Sequence, residues 1–475
     1  MEQYKAEFID FLLSSGALKI GGPFKLKSGR MSPYFLNVGD FNDGTGINKL
    51  GDYYAQCISS NVGTDFDLVF GPPYKGIPLS VTTVIGLTRK GHNKGFSYYR
   101  KEVKLHGEAT GTGASKAQLH KELIIGYPIA DGSKVLLVDD VFTTGDTKYE
   151  ALGVLDAVAD NVSVSAVVIA GDRQELNEDG ETAIEHFTKD KKIPVFAIVQ
   201  VSDIVDYLYD SKKLSPADES ALKRYLRAWG TKEVREKYGL GKERLIEGRT
   251  VIPACDVESI ERLEEIVKAT ADMKKIGGYK IGLELSLFYG LPRLVEVIKN
   301  NAPDKKFIYD HQKGATDIPD LGAKFAKVCK KSGVDAVILF PQSGPRTQVA
   351  WTGECLQQDL FVLVGGEMTH PKYKRSEGGY ISDEALEEMY LRAARQGVNH
   401  FVVPGNKIDR IKLYREIIEQ EGVDGVYHSP GFVTQGGKID DATKVAGDKW
   451  HAIVGRAITE AKDIRAAAEQ MTSKL

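Results

Sequence analysis

Two tandem α/β domains, the first built on a central parallel sheet with flanking helices and the second a (β/α)8 barrel, are the fold class this sequence predicts. Three observations predict it. Residues 1–210 alternate polar helical stretches with short runs rich in Val, Leu and Ile: FDLVFG (66–71), KVLLVDDVF (134–142) and VSVSAVVIAG (162–171). Such runs suit buried parallel strands. From residue 250 the alternation resumes with eight strand candidates, RTVIPACDV, GGYKIGLEL, KFIYDH, VDAVILF, LFVLVGGE, HFVVPG, DGVYHSP and HAIVGR, most followed by a helical segment. Roughly 225 residues holding eight βα units fit a TIM barrel, whose chemistry sits at the C-terminal ends of its strands. Between them, residues 211–249 are dense in charge and poor in branched apolar residues. That stretch reads as an exposed helical linker. The expected boundaries are 1–210, 211–247 and 248–475.

Composition agrees. A chain of 475 residues is too long for one ordinary core. Hydrophobic residues at 42% and charged residues at 27% are usual for a soluble globular protein. A net charge of −3 gives no basic field for nucleic acid. Cys57, Cys255, Cys329 and Cys355 are scattered, without CxxC spacing, and read as buried free thiols in a reducing compartment. The first residues, MEQYKAEFIDFLLSSGALKI, are amphipathic and lack the basic start and cleavage site of a signal peptide. No apolar run approaches the ~20 residues that span a bilayer. A cytoplasmic enzyme or binding protein is expected.

VLLVDDVFTTGDT (135–147) is the most specific motif. A strand ends in two acids, Asp139 and Asp140, and a turn of Thr143, Thr144 and Gly145 leads into a helix. The turn's N–H groups and hydroxyls suit a phosphate at a helix N-terminus. The acids cannot bind that phosphate, but they accept hydrogen bonds from ribose hydroxyls. A sugar phosphate satisfies both halves. The GxxxxGK[ST] pattern of a Walker A loop is absent. Upstream, YYRKEVKLHGE (98–108) packs Arg100, Lys101, Lys104 and His106 together. Alone this is a solvated face; beside a sugar-phosphate site it can neutralise a departing pyrophosphate.

The motif resembles the PRPP-binding motif of type I phosphoribosyltransferases. FKLKSGRMSPYF (24–35), GPPYKGIP (71–78), YYRKEVKLHGE and AGDRQE (170–175) stand in the order of orotate phosphoribosyltransferase, over about residues 1–210. The resemblance implies conversion of orotate and PRPP to orotidine 5′-monophosphate (OMP) and pyrophosphate, with Mg²⁺ carried on PRPP and no protein metal site. It implies that Lys104 and His106 lie on a catalytic loop reaching a neighbouring subunit. Lys75 would meet the pyrophosphate, and Lys27, Phe35 and Arg173 would hold orotate. The stretch after HGE, ATGTGASKAQLHKELIIGYPIADGSK, looks longer than a usual hairpin.

In the second half, FIYDHQKGATDIPD (307–320) alternates charges at a strand end through Asp310, Lys313 and Asp317. Opposed charges hold one another ionised. Asp256 and Lys280 precede them, and Thr369, Pro404, Gln435, Gly455 and Arg456 follow. Arg456 and Gly455 read as a phosphate gripper near strands seven and eight, where TIM barrels commonly bind phosphate. Residues 248–475 resemble orotidine 5′-monophosphate decarboxylase. By that resemblance Lys280, Asp310, Lys313 and Asp317 are the catalytic charges, Lys313 protonates C6, and Asp317 crosses a dimer interface. Asp256 would contact the ribose, Thr369 the pyrimidine amide, and Gln435 and Arg456 the phosphate, without any cofactor. The usual Asp-x-Lys-x-x-Asp spacing is here one residue longer on each side. In a regular strand Asp310 and Lys313 would face opposite ways, so a bulge at His311–Gln312 is expected. The other arrangement sets His311 and Lys313 on one face and gives Asp310 a different task.

The two halves imply consecutive steps of pyrimidine synthesis in one homodimeric or larger assembly. A second reading makes the barrel a sugar-phosphate lyase of the decarboxylase superfamily, but such relatives need acids for Mg²⁺ where Lys280 stands. A third, a PRPP-sensing nucleic-acid regulator, would need a basic surface and neither Arg173 nor the Lys/His loop.

Overall fold

The computed structural model describes all residues except 102–114, 178 and 434–435, together with all of their side chains except Gln312 and Lys313. Lys104, His106 and Gln435, and the side chain of Lys313, therefore lie outside the described residues. The chain divides into two units, Met1–Asn177 with Glu181–Leu222 and, in the main, Lys223–Leu475.

The first unit opens with an antiparallel hairpin of β1 (Leu18–Lys25) and β2 (Met31–Leu36). Its main sheet holds β3 (Leu68–Phe70), β4 (Gly95–Tyr99), β5 (Ile124–Gly126), β6 (Lys134–Val141), β7 (Ser163–Asp172) and β8 (Val195–Gln200). The order is β5-β4-β3-β6-β7-β8, parallel throughout except for the β4–β5 edge pair. Leu68, Phe70, Val135, Leu137, Val167 and Ile169 share one core cluster with Ala151 and Leu155 of the helix Asp146–Val158. The long segment after HGE is not simply a loop. Ser115 caps a helix, Lys116–Leu123, by accepting from the Gln118 amide, and the helix leads directly into β5.

The second unit is a closed parallel barrel of β9 (Thr250–Cys255), β10 (Gly278–Ile281), β11 (Lys306–Gly314), β12 (Ala336–Leu339), β13 (Phe361–Gly365), β14 (His400–Val402), β15 (Val426–Ser429) and β16 (Trp450–Val454). All eight fall on the strand candidates read from sequence. Ile252, Ala254, Ile308, Ala336, Ile338, Leu363, Val402 and Ile453 meet in one core cluster. β11 carries an irregularity: Asp310 pairs with Ile338 and Gly314 with Leu339, so His311, Gln312 and Lys313 are extra. The expected bulge is therefore present and spans one residue more than anticipated.

The charged stretch 211–249 is helical as expected, but it is not an exposed linker. It forms helices Pro216–Trp229 and Lys232–Lys237, and Leu222, Tyr225, Leu226, Trp229 and Val234 are buried. Trp229 donates from Nε1 to Gln357 Oε1 (2.9 Å), and Leu245 enters the barrel core. The apolar stripe at 222, 225, 226 and 229 is a helical face that high overall charge hid. All four cysteines are free and buried. Among the described residues no helix is long and apolar enough to cross a membrane.

Candidate active sites

The first site forms where β6 ends. Strand burial carries Asp139 and Asp140 into the interior, 6% and 8% exposed. Gly145 adopts φ +87°, a left-handed conformation suited to glycine, and starts the helix Asp146–Val158. Thr143 and Thr144 stand exposed on that turn, as a phosphate cradle requires. Asp140 accepts from Lys75 Nζ at 2.5 Å, and the same ammonium reaches Asn37 Oδ1 at 3.1 Å. Asp139 is held more fully. Oδ2 accepts from buried Lys148 and from Thr147 (3.2 Å), Oδ1 from the Asp140 amide (2.9 Å), and its carbonyl from Tyr54 (2.7 Å). Lys148 went unnoticed in the sequence, because a lysine in a helix's first turn looks like a solvated charge. Arg100 and Lys101 are exposed just beyond β4, with the Lys101 ammonium 5.6 Å from the Tyr74 ring centre, beside Lys75.

The expected orotate residues come from the hairpin and the end of β7. Arg173 donates from Nη2 to Ser32 Oγ on β2 (3.0 Å), pairs with Glu175 (2.7 Å) and lies 4.1 Å from the Tyr34 ring centre. Arg173 is thus tied to the hairpin that bears Phe35. Phe35 is half-buried against Phe24, with ring centres 5.9 Å apart, and Lys27 is exposed between the hairpin strands. Burial raises the carboxyl pKa of Asp172, next to Arg173.

The second site sits at the C-terminal ends of β9, β10 and β11. Lys280 is registered with Ala254 on β9 and Ile308 on β11. Asp256 and Asp310 lie two residues further on, so all three side chains project to the same side. Lys280 Nζ donates to Asp256 Oδ1 (3.0 Å) and Oδ2 (3.1 Å) and to Asp310 Oδ2 (3.4 Å). Burial alone would lower the Lys280 pKa, but the charges of Asp310 and Asp256 outweigh it and raise it. Asp310 thus belongs to the array, not to a separate task. His311 instead pairs with the Tyr309 hydroxyl, and burial lowers its pKa. Asp317 is exposed and accepts from the Ile318 amide (2.7 Å).

Thr369, Pro404, Gly455 and Arg456 follow β13, β14 and β16, all at the same end of the barrel. Arg456 is exposed, and a Cβ on Gly455 would make ordinary contact with Ala254 atoms at 3.8 Å. Sequence reading missed Glu367, fully buried two residues past β13. It accepts from Lys407 (2.8 Å), Arg410 (2.7 Å) and Tyr414, and these donors overcome burial and lower its pKa. Asn406 donates to the Thr369 carbonyl (3.0 Å), so the segment bearing Thr369 is anchored on both sides. Signals for Glu367 existed only in the cations of NKIDRIKLY, distant in sequence.

Comparisons with known proteins match each half of the chain to a family. The family model described as "Phosphoribosyl transferase domain" matches residues 38–202, and that described as "Orotidine 5′-phosphate decarboxylase / HUMPS family" matches residues 249–471. An orotate phosphoribosyltransferase of Lachnoclostridium phytofermentans is 41% identical over 211 residues, 44% of this chain and 87% of the relative. That of Bifidobacterium adolescentis is 45% identical over 206 residues, 42% and 83%. The crystal structure of orotidine 5′-monophosphate decarboxylase from Methanocaldococcus jannaschii, complexed with the inhibitor BMP, is 25% identical, with a TM-score of 0.43 over 48% of this chain and 99% of that one. The acid pair at a phosphate turn and the Asp–Lys–Asp array on a closed barrel thus stand in one polypeptide, which belongs to the orotate phosphoribosyltransferase family through its first half and carries a domain of the orotidine 5′-phosphate decarboxylase / HUMPS family in its second.

Proposed function

We infer that the chain is bifunctional: its first unit condenses orotate with PRPP to give OMP and pyrophosphate, and its barrel decarboxylates OMP to UMP and CO₂. The observation that carries this is Lys280 buried between Asp256 and Asp310, in a chain that also holds the Asp139–Asp140 phosphate turn. In the first step Thr143, Thr144 and Gly145 cradle the ribose phosphate, and Asp139 and Asp140 receive the ribose hydroxyls. Lys75, Arg100, Lys101, Lys104 and His106 neutralise pyrophosphate as it leaves. Arg173, Lys27 and Phe35 hold orotate, Arg173 at its carboxylate. Both acids are already engaged by lysines, so Mg²⁺ enters as part of the Mg·PRPP substrate.

In the second step Arg456, Gly455 and Gln435 grip the phosphate, Thr369 meets the pyrimidine amide and Asp256 the ribose. Pro404 lines the same mouth. Asp310 repels the carboxylate at C6, so departure of CO₂ relieves strain present only in the ground state. The electron pair left on C6 takes a proton from the Lys313 ammonium. Asp317 completes the array from a second copy in a homodimer. Lys280 also separates this reading from a sugar-phosphate lyase: a buried ammonium stands where a metal-dependent relative needs an acid.

A coupled assay with orotate, PRPP and Mg²⁺, following CO₂ and UMP, tests the reading. Lys104→Ala stops OMP formation alone, and Lys313→Ala stops CO₂ release alone. Decarboxylation of supplied OMP survives EDTA; loss on chelation favours the lyase. UMP formation at the normal rate by both variants would refute the assignments.

A further inference from the structure

The reading of the first unit as a PRPP site leaves one buried charge unexplained. Lys148 is 3% exposed, in the first turn of the helix that starts at the phosphate turn. It meets Asp139 Oδ2, donates to the Val141 carbonyl (2.8 Å) and stands 5.1 Å from the Phe142 ring centre. A fully desolvated ammonium is costly unless it is paired, and a helix start favours negative charge, not positive. Helix formation alone therefore gives no reason for a lysine here. We propose that Lys148 is a positioning residue for PRPP binding: it fixes the rotamer of Asp139 and offsets its charge, so that a polyanionic sugar phosphate can approach the acid pair.

The geometry supports this in two ways. Lys148, Thr147 and the Asp140 amide occupy three of the roughly four acceptor directions of the Asp139 carboxylate. One direction remains, for a single ribose hydroxyl of defined position. The two acids also differ in their counter-charges. Lys75 is half exposed and free to follow a ligand, whereas Lys148 is locked behind the strand. Asp139 thus keeps its partner whether or not substrate is bound, and Asp140 need not.

The test compares Lys148→Met, Asp139→Asn and the double variant by steady-state kinetics of OMP formation. Lys148→Met should raise KM for PRPP about 10- to 100-fold, the scale of one lost charge-assisted contact. KM for orotate should stay within about threefold, and decarboxylation of supplied OMP by the same chain should be unchanged. In the Asp139→Asn background Lys148→Met should add nothing, because the residue acts through Asp139. If Lys148→Met does not fold, the double variant, which buries no unpaired charge, still gives the comparison with Asp139→Asn. An unchanged KM for PRPP, equal rises for both substrates, or a further rise in the Asp139→Asn background would each overturn the proposal. Failure of the wild-type chain to consume orotate with PRPP would instead overturn the reading of the first unit.

Discussion

Lys280 shows how a single residue can tie three strands to one chemistry. Its ammonium is buried, and it balances one buried and one half-exposed carboxylate. Lys280→Met should destabilise the barrel by about 2–3 kcal/mol, below the usual ~3–5 kcal/mol for breaking a buried pair because water already screens Asp256. Urea unfolding measures this. Decarboxylation should fall about 10³-fold through loss of a preorganised charge, with OMP formation unaffected; an active variant would remove Lys280 from the array. The sign with pH follows from its raised pKa. The stabilisation is complete below about pH 10.4, the unfolded value, and is lost only as pH climbs past it. Asp256, Lys280 and Asp310 were legible because acids and a lysine at strand ends have few structural reasons to be there. Lys148 and Glu367 were not, since each needs partners that only folding supplies.

Elements were read most easily where periodicity is pure. The eight barrel strands are short, apolar and evenly spaced, and folding placed all of them as anticipated. The helices at 216–229 and 232–237 were anticipated, but their burial was not, because charge density masks an amphipathic stripe. Small residues conceal packing in a similar way. Helices Gly44–Asn61 and Gly76–Arg89 approach so closely that a Cβ on Gly51 would sit 2.2 Å from the Thr82 carbonyl oxygen, and one on Gly86 2.4 Å from that of Gly51. The second helix begins one residue after Lys75, so this contact also sets the Lys75 turn. Gly51→Ala should force the helices apart at about 1–3 kcal/mol, the cost of overpacking. OMP formation should then fail at a lower temperature than decarboxylation in heat-inactivation series. Equal inactivation of both activities would show that the helix pair is not tightly constrained.

At the scale of the whole molecule, the two units meet different demands on buried charge. In the first unit the buried acids Asp139 and Asp140 each meet a lysine, while the barrel also buries three imidazoles away from its catalytic end. His400, His428 and His451 stand on β14, β15 and β16, with ring centres 5.6 Å and 4.8 Å apart in succession. Around them, His400 accepts from the Leu245 amide and meets Asn399, and His451 meets Thr250 Oγ1. Burial lowers all three pKa values, to about 3 for His400, about 4 for His451 and well below 6.5 for His428; Arg227 and Arg244 add repulsion at His400. The unfolded chain therefore binds more protons than the folded barrel between those values and 6.5. Barrel stability should fall as pH drops below about 6.5, and His451 alone should account for about 3 kcal/mol by pH 4. Lys280 contributes nothing to this limb, since its transition lies at alkaline pH. His428→Leu removes an imidazole that must stay neutral, at similar volume. It should flatten the dependence of the urea midpoint on pH between 4 and 6.5, leaving decarboxylation at neutral pH intact. An acid limb as steep as in the parent would place the titrating groups elsewhere, among the carboxylates rather than on the three strands.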